Sequence, residues 1–133
     1  MAEWGHIDQA AGLRRLFGVE LAPTLAFSTG VSEVNTSALL LNAARHLASS
    51  GHSVLLIDEN RGPGSLAGRL RLGAGPDLFD VVAGDVFVPE ALTTLAPGVQ
   101  LLRAGRAARE FELGEVGLAD RMQAILREIR NEV

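Results

Sequence analysis

Residues 24–58, TLAFSTGVSEVNTSALLLNAARHLASSGHSVLLID, determine the predicted fold. The stretch opens with Thr24–Ser28, a short run rich in strand-forming residues, and closes with Ser53–Ile57, a continuous apolar run that leads into Asp58. Between them, Thr36–Ser50 consists largely of Ala, Leu and Asn, so it predicts a helix that is apolar around most of its circumference and packs on a sheet. Strand, helix and strand within this length predict one βαβ unit with parallel strands.

The chain after Asp58 is predicted to form a glycine-rich loop with one short helix, two further short helices, a strand and a final amphipathic helix. In that order the segments are Arg61–Gly75 with its helix at Ser65–Leu72, Asp77–Val82, Pro89–Leu95, Val99–Arg103 and Gly117–Glu132. The pattern predicts an α/β protein with at least three parallel strands. Because a helix in such a protein normally leads into another strand, we expect a fragment of a larger domain or a shortened form of one.

Composition and charge favour one compact domain in the cytoplasm. Of the 133 residues, 47% are hydrophobic and 21% are charged, which is enough apolar material for a core. The formal net charge of -4, with acids and bases interspersed, provides no basic stripe, so nucleic-acid binding is disfavoured. Cysteine is absent, the first residues do not resemble a signal peptide, and no apolar run approaches the roughly 18 residues of a membrane span. We therefore expect a cytoplasmic protein with no membrane contact from this chain.

The histidines and serines form no recognisable catalytic or metal-binding pattern. His6, His46 and His52 lie on different predicted elements, and no carboxylate joins two of them at metal-ligand spacing. No serine lies in a G-x-S-x-G elbow. The sequence therefore predicts no catalytic residue and no metal site.

The loop between the first predicted strand and its helix occupies the position at which P-loop proteins bind phosphate. Backbone N–H groups and the N-terminus of the following helix form an anion site there. The composition of this loop is unsuited to phosphate, because it contains one glycine, no lysine and an acid. Its residues are Gly30, Val31, Ser32, Glu33, Val34, Asn35, Thr36 and Ser37. On these residues alone, an ordinary strand-to-helix loop is favoured over a nucleotide site.

This loop and the strand that ends at Asp58 resemble the MinD/ParA family of deviant Walker A ATPases, whose loop reads close to G-K-G-G-x-G-K-[ST]. Gly30 keeps the first glycine of that pattern, and Ser37 keeps the hydroxyl position that binds magnesium in the family. Asn42, in the following helix, also matches. Asp58 matches the first acid of the family's D-x-D motif.

The departures from the family pattern fall on residues that handle phosphate charge. Val31 replaces the signature lysine, Thr36 replaces the phosphate-binding lysine, and Asn60 replaces the second acid of D-x-D, which is implicated in hydrolysis. Family glycines are also replaced, by Ser32, Glu33 and Asn35. Catalysis in this class depends on positioning and on offsetting phosphate charge. The resemblance therefore implies a chain that does not hydrolyse ATP and needs no cofactor, with weak binding of ATP and magnesium as the alternative.

The same resemblance implies a three-layer P-loop (SIMIBI-like) fold with a mostly parallel sheet flanked by helices and an incomplete C-terminal half. Residues 21–133 are expected to form this partial P-loop NTPase-like domain, and residues 1–20 a separate partner-binding helix. The order of elements follows the family as far as the strand at Val99–Arg103. The family's base-recognition elements and membrane-targeting helix fall outside the match.

A short amphipathic helix is predicted at Ile7–Phe17, and it carries the most specific pattern in the sequence. The segment DQAAGLR matches D-Q-A-x-x-L-R at its five defined positions, Asp8, Gln9, Ala10, Leu13 and Arg14. This pattern resembles that of the flagellar-number regulators FlhG and FleN, whose helix engages the signal-recognition-type GTPase FlhF and stimulates GTP hydrolysis. The resemblance implies that Gln9 reaches the partner's nucleotide site. It implies polar anchors at Asp8 and Arg14 and an apolar anchor at Leu13.

The leading hypothesis is a regulator of flagellar number and placement that stimulates an FlhF-like GTPase and has no ATPase activity of its own. On the residues alone, the Ile7–Phe17 helix could instead pack on its own domain, with Gln9 and Arg14 in solvent. The main functional alternative is an ATP-binding MinD/ParA-like switch that forms a homodimer when it binds nucleotide. A molar mass in solution that does not change on addition of ATP would exclude this alternative. A third is an atypical ParA-like protein of cellulose synthesis or pilus localisation, against which the N-terminal pattern argues.

Overall fold

The computed structural model describes residues 23–27, 36–114 and 116–132. Within these ranges the chain forms six α-helices, one short 3-10 helix and three β-strands. The helices are α1 (Thr36–Ser49), α2 (Leu66–Arg69), α3 (Leu78–Ala83), α4 (Val88–Ala91), α5 (Gly105–Glu112) and α6 (Leu118–Glu132), and the 3-10 helix is Gly62–Gly64. The strands are β1 (Val54–Asp58), β2 (Leu92–Ala96) and β3 (Val99–Arg103).

The three strands form one mixed sheet in the order β1-β3-β2. β1 and β3 are parallel, with Val54 opposite Val99 and Asp58 opposite Arg103. β2 is antiparallel to β3, because Pro97 and Gly98 turn the chain back between them, and Gly98 has the positive φ of 74° that such a turn requires. The α/β class is therefore confirmed. The prediction of at least three parallel strands is wrong for the described residues, which contain one parallel and one antiparallel pair.

The prediction of a buried strand at Thr24–Ser28 is wrong over its described part. Residues 23–27 have no regular secondary structure and pair with no strand among the described residues. The side chains of Leu25 and Phe27 are 73% and 60% exposed. Strand-forming residues alone do not make a strand, since the backbone also needs a neighbouring ladder. Ser28, the last residue of the predicted strand, lies outside the described residues.

Helix α1 agrees with the predicted helix to within one residue, but it packs on the sheet with a narrow face. Only Leu41 and Ala44 of this helix are buried, against β1 and β3. Leu39 and Leu47 are 63% and 44% exposed. The predicted helix and its packing on the sheet are therefore confirmed, although much of its apolar circumference is exposed.

The main core lies between one face of the sheet and helices α3, α4, α5 and α6. Successive residues of a strand point to opposite faces. Leu102 accordingly belongs to the main core, whereas Leu101 packs with Leu66 and Ala67 of α2 in a smaller cluster. The main core consists of Leu78, Val81, Val82, Val88, Ala91, Leu102, Ala104, Ala107, Leu118 and Ile129. Helix α2 follows β1 and packs on one face of the sheet, and α5 follows β3 and packs on the other face. Both helices therefore begin near the carboxyl ends of the parallel strands.

The other local predictions have mixed outcomes. The strand at Val99–Arg103 is confirmed, and the helices predicted at Asp77–Val82 and Gly117–Glu132 are confirmed with ends shifted by one residue. The helix predicted at Pro89–Leu95 is wrong beyond Ala91, since the chain continues as β2. Helix α5 was not predicted. Across the described residues, no helix is both long and apolar enough to span a membrane.

Candidate functional site

Some of the residues predicted to form functional sites lie within the described residues, and others lie outside them. Asp8, Gln9, Ala10, Leu13 and Arg14 lie outside the described residues, as do Gly30, Val31, Ser32, Glu33, Val34 and Asn35. Thr36 and Ser37 form the start of α1 and are partly buried. Asp58 and Asn60 lie together at the carboxyl end of β1. The described part of the predicted site therefore centres on Asp58.

The Asp58 carboxylate holds together the loop that follows β1. One oxygen accepts hydrogen bonds from the backbone N–H of Asn60 at 3.1 Å and from its side-chain Nδ2 at 3.0 Å. The other oxygen accepts from the backbone N–H of Leu66, the first residue of α2. A carboxylate at a helix N-terminus accepts a hydrogen bond from an N–H that has no partner inside the helix, and its negative charge interacts favourably with the positive end of the helix dipole. Asp58 therefore acts in this structure as a clamp between β1 and α2.

A second clamp in the same loop is made by Ser65, which is buried. Its Oγ donates to the carbonyl of Gly62 at 2.7 Å and accepts from the backbone N–H of Gly68 at 2.9 Å. Ser65 is the N-cap of α2, a position at which serine is strongly preferred. Pro63 lies within the intervening 3-10 helix, where its fixed φ suits the turn. The segment from Asp58 to α2 is thus tied at both ends by side-chain hydrogen bonds.

The described residues form an open cleft of about 620 Å³ beside this loop. It lies at the carboxyl ends of the parallel strands β1 and β3, where ligands commonly bind in open α/β sheets. Charged side chains dominate its polar lining. They are Asp58, Arg61, Arg71, Asp77, Arg103 and Arg106. The sequence pattern drew attention to Asp58 but not to the arginines, although Arg103 directly ends a predicted strand.

Arg103 and Arg106 are held in different ways. The guanidinium of Arg103 donates to the carbonyl of Gly73 at 3.3 Å and lies against Gly75, and it would have to shift to admit a side chain there. Arg106 donates to Asp80 at 2.7 Å, and its guanidinium lies 5.1 Å from the centre of the Phe79 ring. Arg106 is therefore paired with an acid, whereas the only described partner of the Arg103 guanidinium is a neutral carbonyl.

Asp77 is the buried acid of the cleft, and its charge is engaged by the backbone. Its carboxylate accepts from the N–H of Phe79 at 2.9 Å, and so caps α3. It also accepts from the N–H groups of Arg106 and Ala107, both at 3.1 Å, and so caps α5 as well. One side chain thereby satisfies N–H groups at the starts of two helices. This explains why an acid with an exposed fraction of only 7% is stable in that position.

Arg71 has an unusual backbone conformation at the mouth of the cleft. Its φ is 54°, and it is the only non-glycine residue with positive φ among the described residues. It follows Leu70, the C-cap of α2; the N–H of Arg71 donates to the carbonyl of Gly68, and the N–H of Leu72 donates to the carbonyl of Ala67. That pair of bonds is a Schellman motif, in which the position of Arg71 is normally taken by glycine. Arg71 therefore places a long charged side chain at a backbone position that favours glycine.

Comparison of the chain with protein-family models, with curated proteins and with solved structures finds no match. Within the described parts of the chain, no three His, Cys, Asp or Glu side chains come together as a group that would hold a metal ion. The described site therefore consists of a clamped loop, a buried double cap and a set of guanidinium groups. Such groups bind and orient anions.

Proposed function

We propose that the chain regulates flagellar number and placement by binding an FlhF-like GTPase and stimulating its GTP hydrolysis. The observation that carries this proposal is the D-Q-A-x-x-L-R match at residues 8–14. Residues 1–20 form the partner-binding helix, and residues 21–133 form a scaffold of the three-layer P-loop type. The α/β class of the described residues is compatible with such a scaffold.

The proposed activity assigns different tasks to two residues of the N-terminal helix. A glutamine side chain can orient the water that attacks a γ-phosphate, as it does in other GTPases. This is the role proposed for Gln9. An amphipathic helix binds a groove through apolar anchors spaced along one face, and this is the role proposed for Leu13.

The proposal includes the loss of ATP hydrolysis by the chain itself. Neither lysine position of the family loop holds a cation, since Val31 and Thr36 stand there. The retained acid, Asp58, uses both carboxylate oxygens to accept hydrogen bonds from Asn60 and Leu66. Catalysis of phosphoryl transfer needs charge stabilisation that these residues do not supply. The P-loop region is accordingly proposed to serve as a scaffold.

The experiment that tests this function measures GTP hydrolysis by an FlhF-type GTPase at increasing concentrations of the chain. Gln9→Ala is expected to lower the maximal stimulated rate by about tenfold or more, which corresponds to ~1.4 kcal/mol or more of transition-state stabilisation. It should change the half-saturating concentration little. Leu13→Ala is expected to do the reverse, raising the half-saturating concentration because an apolar anchor is lost.

Ala11→Ser is the matched control, because Ala11 lies in the same segment but at an undefined position of the pattern. It should change neither the maximal rate nor the half-saturating concentration. If Gln9→Ala and Leu13→Ala shifted the same parameter, the proposed division between catalysis and docking would be wrong. If Gln9→Ala stimulated as well as the unmodified chain, the proposed role of Gln9 would be excluded.

A further inference from the structure

We infer that the cleft at the carboxyl ends of β1 and β3 is a binding site for a small phosphorylated ligand, held by Arg61, Arg71 and Arg103. These three residues are called the arginine cleft below. The inference rests on residues distinct from the N-terminal segment, so it stands or falls independently of the proposed GTPase partner.

The cleft is positively charged although the chain is acidic. Its lining includes four arginines and two aspartates, and Arg106 is paired with Asp80, which leaves an excess of one positive charge, whereas the whole chain carries a formal charge of -4. A concave surface lined by one sign of charge concentrates counter-ions of the opposite sign. Acids and bases are mixed elsewhere along the sequence, so this local excess favours an anionic ligand.

Among the described residues, the two acids that line the cleft form no ion pair with the three arginines. Asp58 and Asp77 direct their carboxylates to backbone N–H groups of the clamped loop and of the two capped helices. Across the described residues, Arg61 and Arg71 form neither an ion pair nor a side-chain hydrogen bond, and Arg103 donates only to the carbonyl of Gly73. Within the described part of the chain, three guanidinium groups therefore have no acidic partner and can bind an anion.

The backbone of Arg71 is the second observation that favours a ligand. A non-glycine residue in the left-handed region costs about 1 kcal/mol relative to glycine. Strained conformations of this kind cluster at functional sites, where the side chain is needed. Glycine would suit the Schellman position better, so the presence of an exposed arginine at the cleft mouth has no explanation in the stability of the fold.

The surrounding residues define the class of ligand. Guanidinium groups bind phosphate through pairs of charge-assisted hydrogen bonds. Gly75 and Gly105 carry no side chain, and the guanidinium of Arg103 and the side chain of Arg61 lie against them at the cleft. The lining contains no aromatic side chain among the described residues, so the phosphate group rather than a stacked base is recognised. The volume suits a small molecule.

The test uses inorganic pyrophosphate as the probe, with affinity measured by isothermal titration calorimetry on the full chain. Arg71→Gly and Arg103→Gln are each expected to weaken binding by at least about fivefold, since each removes charged hydrogen bonds. Arg71→Gly should at the same time raise the melting temperature, because glycine relieves the left-handed strain. Higher stability with lower affinity separates loss of the site from damage to the fold.

Arg127→Gln is the matched control, since Arg127 is an exposed arginine of α6 outside the cleft. It removes the same charge and should leave pyrophosphate affinity unchanged. Three results would each overturn the inference. They are no binding of pyrophosphate to the folded chain, unchanged affinity in Arg71→Gly and Arg103→Gln, and equal weakening by Arg127→Gln, which would indicate attraction by overall charge alone.

Discussion

Replacing Asp77 with alanine is expected to lower the free energy of unfolding by about 3 kcal/mol. Loss of a helix N-cap costs about 1 kcal/mol, and a buried N–H left without a partner costs about 1–3 kcal/mol. The Asp77 carboxylate caps both α3 and α5 by accepting from Phe79, Arg106 and Ala107. The substitution therefore removes two caps at once from the packed side of the sheet. Urea unfolding followed by circular dichroism measures the loss.

Two further variants show whether capping is the cause. Asp77→Asn keeps one carbonyl oxygen as an acceptor, so it should lie between the unmodified chain and Asp77→Ala. Asp85→Ala removes an exposed aspartate just after α3 and should change stability by less than about 0.5 kcal/mol. A loss below about 1 kcal/mol in Asp77→Ala would show that the two helices begin stably without this carboxylate.

Replacing Gly68 with alanine is expected to destabilise the chain by about 1 kcal/mol net, although glycine to alanine normally favours a helix. An added Cβ would overlap the carbonyl oxygen of Gly62 and lie 3.0 Å from the Cα of Pro63. Both obstacles are backbone atoms of the clamped loop, so neither can rotate away. Overpacking of this kind typically costs about 1–3 kcal/mol, which outweighs the usual helix gain of about 1 kcal/mol. Thermal and urea unfolding both measure the effect.

Gly64→Ala provides the matched control in the same loop. A Cβ at Gly64 meets nothing within 4 Å, and its φ is not positive. This variant should therefore be neutral, or more stable by up to about 1 kcal/mol, because alanine restricts the unfolded chain. If Gly68→Ala were as stable as Gly64→Ala, the result would contradict the close approach of the 3-10 helix to α2.

Local sequence patterns predicted those helices and strands whose conformation depends on their own residues and not on contacts with distant parts of the chain. Asp77 at the start of α3 is an example, since an N-cap acts within the first turn. β2 was missed because Leu92–Ala96 follows a helical start at Pro89 and has no local turn before it. Its two threonines favour a strand, but pairing with β3 decides the outcome, and that pairing is a tertiary contact.

The candidate site was only partly predictable for the same reason. Asp58 was identified because it ends an apolar strand, and the structure gives it three backbone and side-chain donors in the following loop. Arg71 and Arg103 lie 32 positions apart in the sequence and meet at one cleft because β1 and β3 are parallel neighbours. No local pattern contains that information. Knowing that β1 and β3 were adjacent would have pointed to Arg103.

The most direct test of the proposed function is the rate of GTP hydrolysis by an FlhF-type GTPase with and without the 133-residue chain. The matched control is Gln123→Ala, which removes an exposed glutamine from α6. We expect acceleration by the unmodified chain and by Gln123→Ala, and loss of most of it with Gln9→Ala. No acceleration by a chain that circular dichroism shows to be folded would contradict the proposed function.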